Sequence, residues 1–122
     1  MDYFERKLDD KNRLTIPAEL RAEFPEGHAV ISRGFDKAIH LYPKARWDQA
    51  VERELAGFSI ISEEGARLNR QLRAGKTLAS LDTKQGRVTI EQHLLDWAGI
   101  KKDLTATRIA STDGSYWAIE AK

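Results

Sequence analysis

The chain contains no cysteine, and among its 122 residues only three are proline and one is methionine. Without cysteine there are no disulfides and no thiolate metal sites, which suits a reducing compartment. No apolar run approaches the roughly 20 residues of a membrane-spanning helix. The opening stretch "MDYFERKLDD" lacks the apolar centre of a secretory signal. A cytoplasmic protein without membrane contact is therefore expected. Charge of one sign is also lacking: 20 Lys and Arg against 19 Asp and Glu leave a net +1. Any basic surface must come from how the charges are arranged.

The usual patterns of catalysis are missing too. There is no nucleophile elbow, no glycine-rich phosphate loop and no coherent pair of acids. Ser59, Ser62, Ser111 and Ser115 sit at cap and turn positions. His28, His40 and His93 have no metal-ligand spacing, and His40 is expected to alternate outward from a strand. The reading is a protein that is not an enzyme, with no cofactor, no metal and no small-molecule substrate.

What the chain does have is a composition able to fold, 41% hydrophobic with 32% charged, and an internal repeat. "DDKNRLTIPAELR" (9–21) recurs as "TKQGRVTIEQHLL" (83–95). With Arg13 laid over Arg87, Leu14 meets Val88, Thr15 meets Thr89, Ile16 meets Ile90 and Leu20 meets Leu94. An offset of 74 residues is too long for a solenoid unit and suits two half-domains and a linker. Each copy continues into two β-rich runs around a turn signal: "HAVISRG" and "KAIHLYP" around "GFDK", then "DLTATRIAS" and "SYWAIE" around "TDGS". Short helical pieces are predicted over Glu19–Glu23 and Gln92–Trp97, stopped by Pro25 and Gly99.

Between the copies the pattern turns helical. Trp47, Ala50, Val51, Leu55 and Phe58 fall at helical spacing, and Ser62 is placed to cap a second helix that presents Leu68 and Leu72 and ends near Gly75. Arg67, Arg70, Arg73 and Lys76 give that helix a basic bias, read as solvated or paired with glutamates. Trp47, Trp97 and Trp117 read as core or interface anchors.

The repeated turns are the candidate functional element. A tight turn that presents Lys11, Asn12 and Arg13, or Lys84 and Arg87, outside a β-unit suits phosphates, and arginine also forks onto guanine in a major groove. One such turn binds weakly, whereas copies repeated along a chain and around an oligomer make later contacts intramolecular. The plain alternative is a structural Asp9–Arg13 ion pair that only stiffens the turn.

The ordered set "LDDKNRLTIP", Arg21, "LYPKARWD", the arginine-rich helix, "LLDWAGIKKDL" and "YWAIEAK" resembles the MraZ family of bacterial transcription regulators, over nearly the whole chain. That resemblance implies an α+β fold. Two swapped-hairpin SpoVT/AbrB-type half-barrels (3–45 and 77–120) would form a pseudo-twofold, double-psi-like barrel, with a helical hairpin (46–76) between them. It implies a DNA-binding repressor of the division and cell-wall gene cluster, its own gene included. The partners would be double-stranded promoter DNA carrying short tandem G-containing repeats and further copies of the chain in an octameric or dodecameric ring, with nucleoid association. Asp9 and Pro17 are the turn-stabilising residues of the family pattern. In the second copy Thr83 stands where the aspartate is expected, Asp82 comes one place early and Glu91 replaces the proline, so Arg87 is expected to be held less rigidly than Arg13. Two other readings share this fold: an antitoxin-like module whose partner is a protein, and a ring scaffold that does not bind DNA.

Overall fold

Alternating apolar residues and turn chemistry give eight strands in the computed structural model, which describes Met1–Lys122. They are β1 (Tyr3–Lys7), β2 (Arg13–Thr15), β3 (His28–Arg33), β4 (Ile39–Pro43), β5 (Thr77–Ser80), β6 (Arg87–Thr89), β7 (Asp103–Ser111) and β8 (Gly114–Ala121). Six form one antiparallel sheet in the order β1-β7-β8-β4-β3-β5, and β2 pairs with β6 in a separate two-stranded ladder. The α+β class is as expected. The strand ladders, however, close no barrel: β1 and β5 remain as edges, because β2 and β6 pair with each other rather than bridging them.

The sheet order reads the same from both ends once the repeat is applied. The first strand of copy one, β1, pairs with the copy-two hairpin β7–β8, while β5 of copy two pairs with the copy-one hairpin β3–β4. At the centre β4 meets β8, with Ile39 opposite Ile119 and Leu41 opposite Trp117. Small units of this size gain by completing one another, since neither alone buries enough apolar surface.

One face of the sheet and the inner side of the β2–β6 ladder enclose the main core. Leu14 and Val88 face inward from the ladder, with Ile31, Ile39, Leu41, Leu104, Ala106, Trp117 and Ile119 from the sheet. Leu20 and Leu94, matched in the sequence repeat, are both buried there. Leu20 lies on a 3-10 segment, Ala18–Glu23, where a short helix was expected; Leu94 lies on a true helix, α4 (Gln92–Ala98), stopped by Gly99 at φ +69°.

On the other face of the sheet, Val30 and Tyr42 pack under the helical hairpin, against Trp47, Leu55 and Leu72. Its first arm is continuous: α1 (Lys44–Arg46), a π-helical stretch (Trp47–Val51) and α2 (Glu52–Ala56). The wider π turn brings Trp47 Nε1 to the Glu52 carboxylate, 2.9 Å away. The second arm is α3 (Glu63–Arg73), capped by Ser62 Oγ accepting from Gly65 N at 3.0 Å. Arg73 is Glu-paired as anticipated, forking onto Glu52 at 2.8 and 2.9 Å. No helix is long and apolar enough to cross a membrane.

His40 departs from expectation. It does alternate away from Ile39 and Leu41, but the face it reaches is covered, and the ring is only 2% exposed. Its Nδ1 lies 2.8 Å from the Tyr42 hydroxyl, Tyr116 stacks on it, and a Cβ at Gly34 would overlap the ring at 2.0 Å. Burial pushes its pKa down to about 4, so the imidazole is neutral and structural.

Candidate nucleic-acid interface

The first turn is organised by one carboxylate. Asp9 Oδ1 accepts the backbone N–H groups of Lys11 (2.9 Å) and Arg13 (2.8 Å), and Oδ2 accepts Arg13 Nε at 2.6 Å. The backbone closes the loop through Asp9 N donating to Arg13 O, and Asn12 takes up φ +58°. Partial desolvation acts to raise the Asp9 pKa. The bonds from Arg13 and Lys11 outweigh it and hold the carboxyl below its ordinary value.

The second turn reaches the same result with one more residue. Asp82 Oδ1 accepts from Lys84 N (3.1 Å) and Gln85 N (2.7 Å); Oδ2 accepts from Arg87 N and Arg87 Nε, both at 3.0 Å. Asp82 N donates to Arg87 O, as Asp9 N does to Arg13 O. The Asp82 carboxyl is held far below the usual range, mainly by the Gln85 N–H and the Arg87 guanidinium. The expected looser hold on Arg87 is therefore not what the structure has. Asp82 stands one place early because its loop is one residue longer, and the clamp is conserved between the turns. Nor does the missing proline alter the exit: Glu91, at φ −67° and ψ 147°, has nearly the conformation of Pro17, at φ −52° and ψ 140°.

The β2–β6 ladder joins the two turns. Its register sets Arg13 opposite Thr89, Leu14 opposite Val88 and Thr15 opposite Arg87. Leu14 and Val88 face the core, so Arg13, Thr15, Arg87 and Thr89 share the outer face. Two residue steps along the ladder and one strand across put the two arginine Cα atoms roughly 8 Å apart. Reciprocal bonds lock the turns together: Ile16 N to Gly86 O and Ile90 N to Asn12 O, both 2.9 Å. What looked like two array elements is one composite face.

In each arginine the Nε is committed to its aspartate, and neither Nη1 nor Nη2 donates to any protein acceptor. Both side chains are about a quarter exposed, at 28% for Arg13 and 26% for Arg87. The clamp thus freezes one edge of each guanidinium and turns the forked edge outward, a geometry matched to guanine O6/N7 or a phosphate. Lys11 and Lys84 are exposed at the turn tips. Pro17 is buried at the exit of β2. The ion pair of the plain reading is present in both turns, and it fixes the Nε edge of each arginine.

Gln92, Asp96, Arg21 and Gly86 were not among the site residues expected from the sequence. Asn12 Nδ2 donates to Gln92 Oε1 (3.0 Å), and Gln92 Nε2 donates to Asp96 (2.8 Å), so copy two orients the side chain of copy one. Arg21 Nε donates to Ile16 O at 3.0 Å and lies against Gly86. In the repeat alignment the only hint is Asn12 over Gly86, two residue types that tolerate a left-handed backbone, and both take positive φ in the structure.

Known proteins resemble the chain over most of its length. The family model described as "MraZ protein, putative antitoxin-like" matches residues 1–70. A protein of Roseiflexus sp. (strain RS-1) called "Transcriptional regulator MraZ" is 41% identical over 95 residues, which are 78% of this chain and 64% of that protein. The chain thus covers less than two thirds of that relative's length. One of the same name from Symbiobacterium thermophilum is 32% identical over 120 residues, 98% of this chain and 84% of the relative. Another, from Clostridium botulinum, is 33% identical over 108 residues, 88% and 74% of the two chains. With a family model matching more than half of it and a relative aligned over nearly all of it, the chain belongs to the MraZ family.

Proposed function

We propose that the chain is a sequence-specific DNA-binding transcriptional regulator that represses the division and cell-wall gene cluster, its own gene included. The observation that carries this reading is the pair of aspartate-clamped arginines on the outer face of the β2–β6 ladder, each with its Nη fork free. Arg13 and Arg87 read base edges or grip phosphates; Lys11 and Lys84 add phosphate contacts, and Asn12, oriented by Gln92, adds a polar one. The names of the relatives support the regulatory role.

The reciprocal pairing of β1 with β7 and β5 with β3 supports a swapped-hairpin, double-psi-like arrangement of two SpoVT/AbrB-type units, 3–45 and 77–120, around the helical linker 46–76. A homo-oligomeric ring, octameric or dodecameric, presents several such faces to tandem repeats and multiplies a weak contact by effective concentration. The fully exposed Ile60 and Ile61 at the tip of the helical hairpin offer apolar surface for assembly. Such a protein works in the cytoplasm, on the nucleoid.

The test is a gel shift with the upstream region of the protein's own gene, using probes of one and of several repeats, with light scattering on the free protein. Tight binding only to the multi-repeat probe by a ring-sized particle supports the reading; equal binding to scrambled DNA sinks it. The antitoxin-like wording of the family description favours one alternative, a protein-binding module. That alternative, like a scaffold, would show no preference for the operator.

A further inference from the structure

The repeat supplies an internal control for a second arginine pair. Arg33 closes the β3–β4 ladder opposite Ile39, and Arg108 stands in the β7–β8 ladder opposite Trp117. Ile39 and Trp117 are themselves related by the reciprocal pairs Ile39–Ile119 and Leu41–Trp117, so the two arginines occupy equivalent places. Arg108 is saturated. Its Nη1 and Nη2 fork onto Glu23 at 2.8 and 2.7 Å, and its Nε meets Asp2 at 3.1 Å. It also donates to Ser115 Oγ (3.0 Å) and Met1 O (3.1 Å).

At Arg33 none of these bonds is made, and the three side-chain acceptors have no counterpart. The place of Glu23 on the following segment is taken by Trp97, whose ring lies under the guanidinium at 5.8 Å. Where Asp2 approaches Nε there is Gly75, and a Cβ built on it would lie 3.5 Å from Arg33 Nε. Arg33 makes no ion pair and no side-chain hydrogen bond, and its Nε is buried without a partner. Instead of acids it has Lys37, with Nζ 5.2 Å from the same Trp97 ring. His93 also closes on Gly75 and is itself paired with Glu91 at 3.7 Å. A buried guanidinium nitrogen without an acceptor is costly, and an oxyanion is one acceptor that would relieve that cost.

We propose that Arg33 and Lys37, over Trp97, form a binding site for a phosphate-class oxyanion, which takes the place that Glu23 and Asp2 fill at Arg108. A dianion suits the site better than a single carboxylate. Two acids satisfy Arg108 alone, whereas here two cations stand with none. The phosphate comes either from a free phosphate or phosphomonoester, or from a nucleic-acid backbone laid across this side of the molecule.

Equilibrium dialysis of the full-length protein against radiolabelled inorganic phosphate, at constant ionic strength, tests the site. Trp97 fluorescence serves as a second readout, since Trp47 and Trp117 are buried. The expected result is saturable binding of one phosphate per chain with Kd on the order of 1 mM or tighter. Arg33→Gln should weaken it at least about tenfold. Lys37→Asn, which keeps the left-handed turn at φ +64°, should weaken it by roughly threefold. Phosphate binding is read in the Arg13→Ala, Arg87→Ala background, where the two clamped forks hold none, so the result does not depend on whether the chain binds an operator. If Arg33→Gln also weakens all duplexes alike and lowers the salt slope by about one, the source is the nucleic-acid backbone; if duplex affinity is untouched, it is free phosphate. Either outcome supports the site. Absence of saturable phosphate binding overturns it, as does binding that survives both variants. Loss of oligomer mass in Arg33→Gln without phosphate binding would assign the occupant to a carboxylate of a second copy and overturn it too.

Discussion

Replacing Gly86 with alanine tests how far the β2–β6 face depends on one missing side chain. Gly86 is buried at φ +64°, and a Cβ there would lie 2.2 Å from Arg21 Nε and 2.6 Å from its Cδ. Two separable costs follow. An L-residue in the left-handed region costs about 1 kcal/mol relative to glycine. Arg21 must also swing away, giving up its 3.0 Å bond to Ile16 O, a net loss of roughly 0.5–1.5 kcal/mol. The sum is about 2 kcal/mol, near a 1 M fall in the urea midpoint for a slope of about 2 kcal/mol/M.

A double-mutant cycle separates the two costs. With Arg21→Ala in the background the collision is gone, and Gly86→Ala should then cost only the backbone share of about 1 kcal/mol. Asn12→Gly, at the equivalent place in the other turn, should change stability little, because relief of its φ +58° offsets loss of the bond to Gln92. All five proteins are to be unfolded at one fixed concentration, since assembly feeds into apparent stability. The reasoning is refuted if Gly86→Ala stays within about 0.5 kcal/mol of the parent, or if the cycle is additive.

Three further outcomes follow from the same geometry. Arg13→Ala and Arg87→Ala should each cost roughly 1–3 kcal/mol of operator binding and leave the oligomer intact; wild-type affinity in a folded Arg13→Ala protein would make the clamp purely structural. Operator affinity should fall with salt at a log–log slope of about −0.9 per phosphate contact, and a flat salt titration would remove phosphates from the interface. Glu52, held down to about 2 chiefly by the Arg73 fork, contributes stability that is present above its ordinary 4.5 and lost as the pH falls towards 2. Since the pair is more than a third exposed, Glu52→Gln should remove at most about 1 kcal/mol at pH 7 and flatten the acid limb of a urea-midpoint titration; an unchanged limb would deny the pair any role.

Much of this was legible in the sequence, for identifiable reasons. Strands, hairpins and the two-armed linker follow from local chemistry: Ser62 caps α3, and Gly99 ends α4 with a positive φ. Asp36 and Lys37 turn the "GFDK" hairpin with left-handed backbones at φ +53° and +64°. The aligned pairs Leu14/Val88, Ile16/Ile90 and Leu20/Leu94 are all buried in one core. What local chemistry does not encode is which strand pairs with which. Nothing in "YFERK" says that it adds to β7, at the other end of the chain, or that β2 meets β6 and leaves the ladders open. His40 was misjudged for the same reason, because a strand's second face is outward only when nothing covers it.

The second turn shows how an alignment column can mislead where physics does not. Matched residue for residue from Arg87 backwards, the loop meets Thr83 and shows no acid in that column. A carboxylate, though, needs to reach two backbone N–H groups and one guanidinium, and it does not matter how many peptide units lie between. The extra residue lets Asp82 take Gln85 N as well, so the longer loop is held by four bonds from Asp82 where Asp9 makes three. Both loops end on a left-handed residue, and in the longer one it is Gly86, which also leaves room for Arg21. Asn12, in the shorter loop, takes that conformation with a side chain and uses it to reach Gln92. Each half also donates one backbone N–H to the other half's turn, Ile16 N to Gly86 O and Ile90 N to Asn12 O, so a single ladder presents both locally clamped arginines.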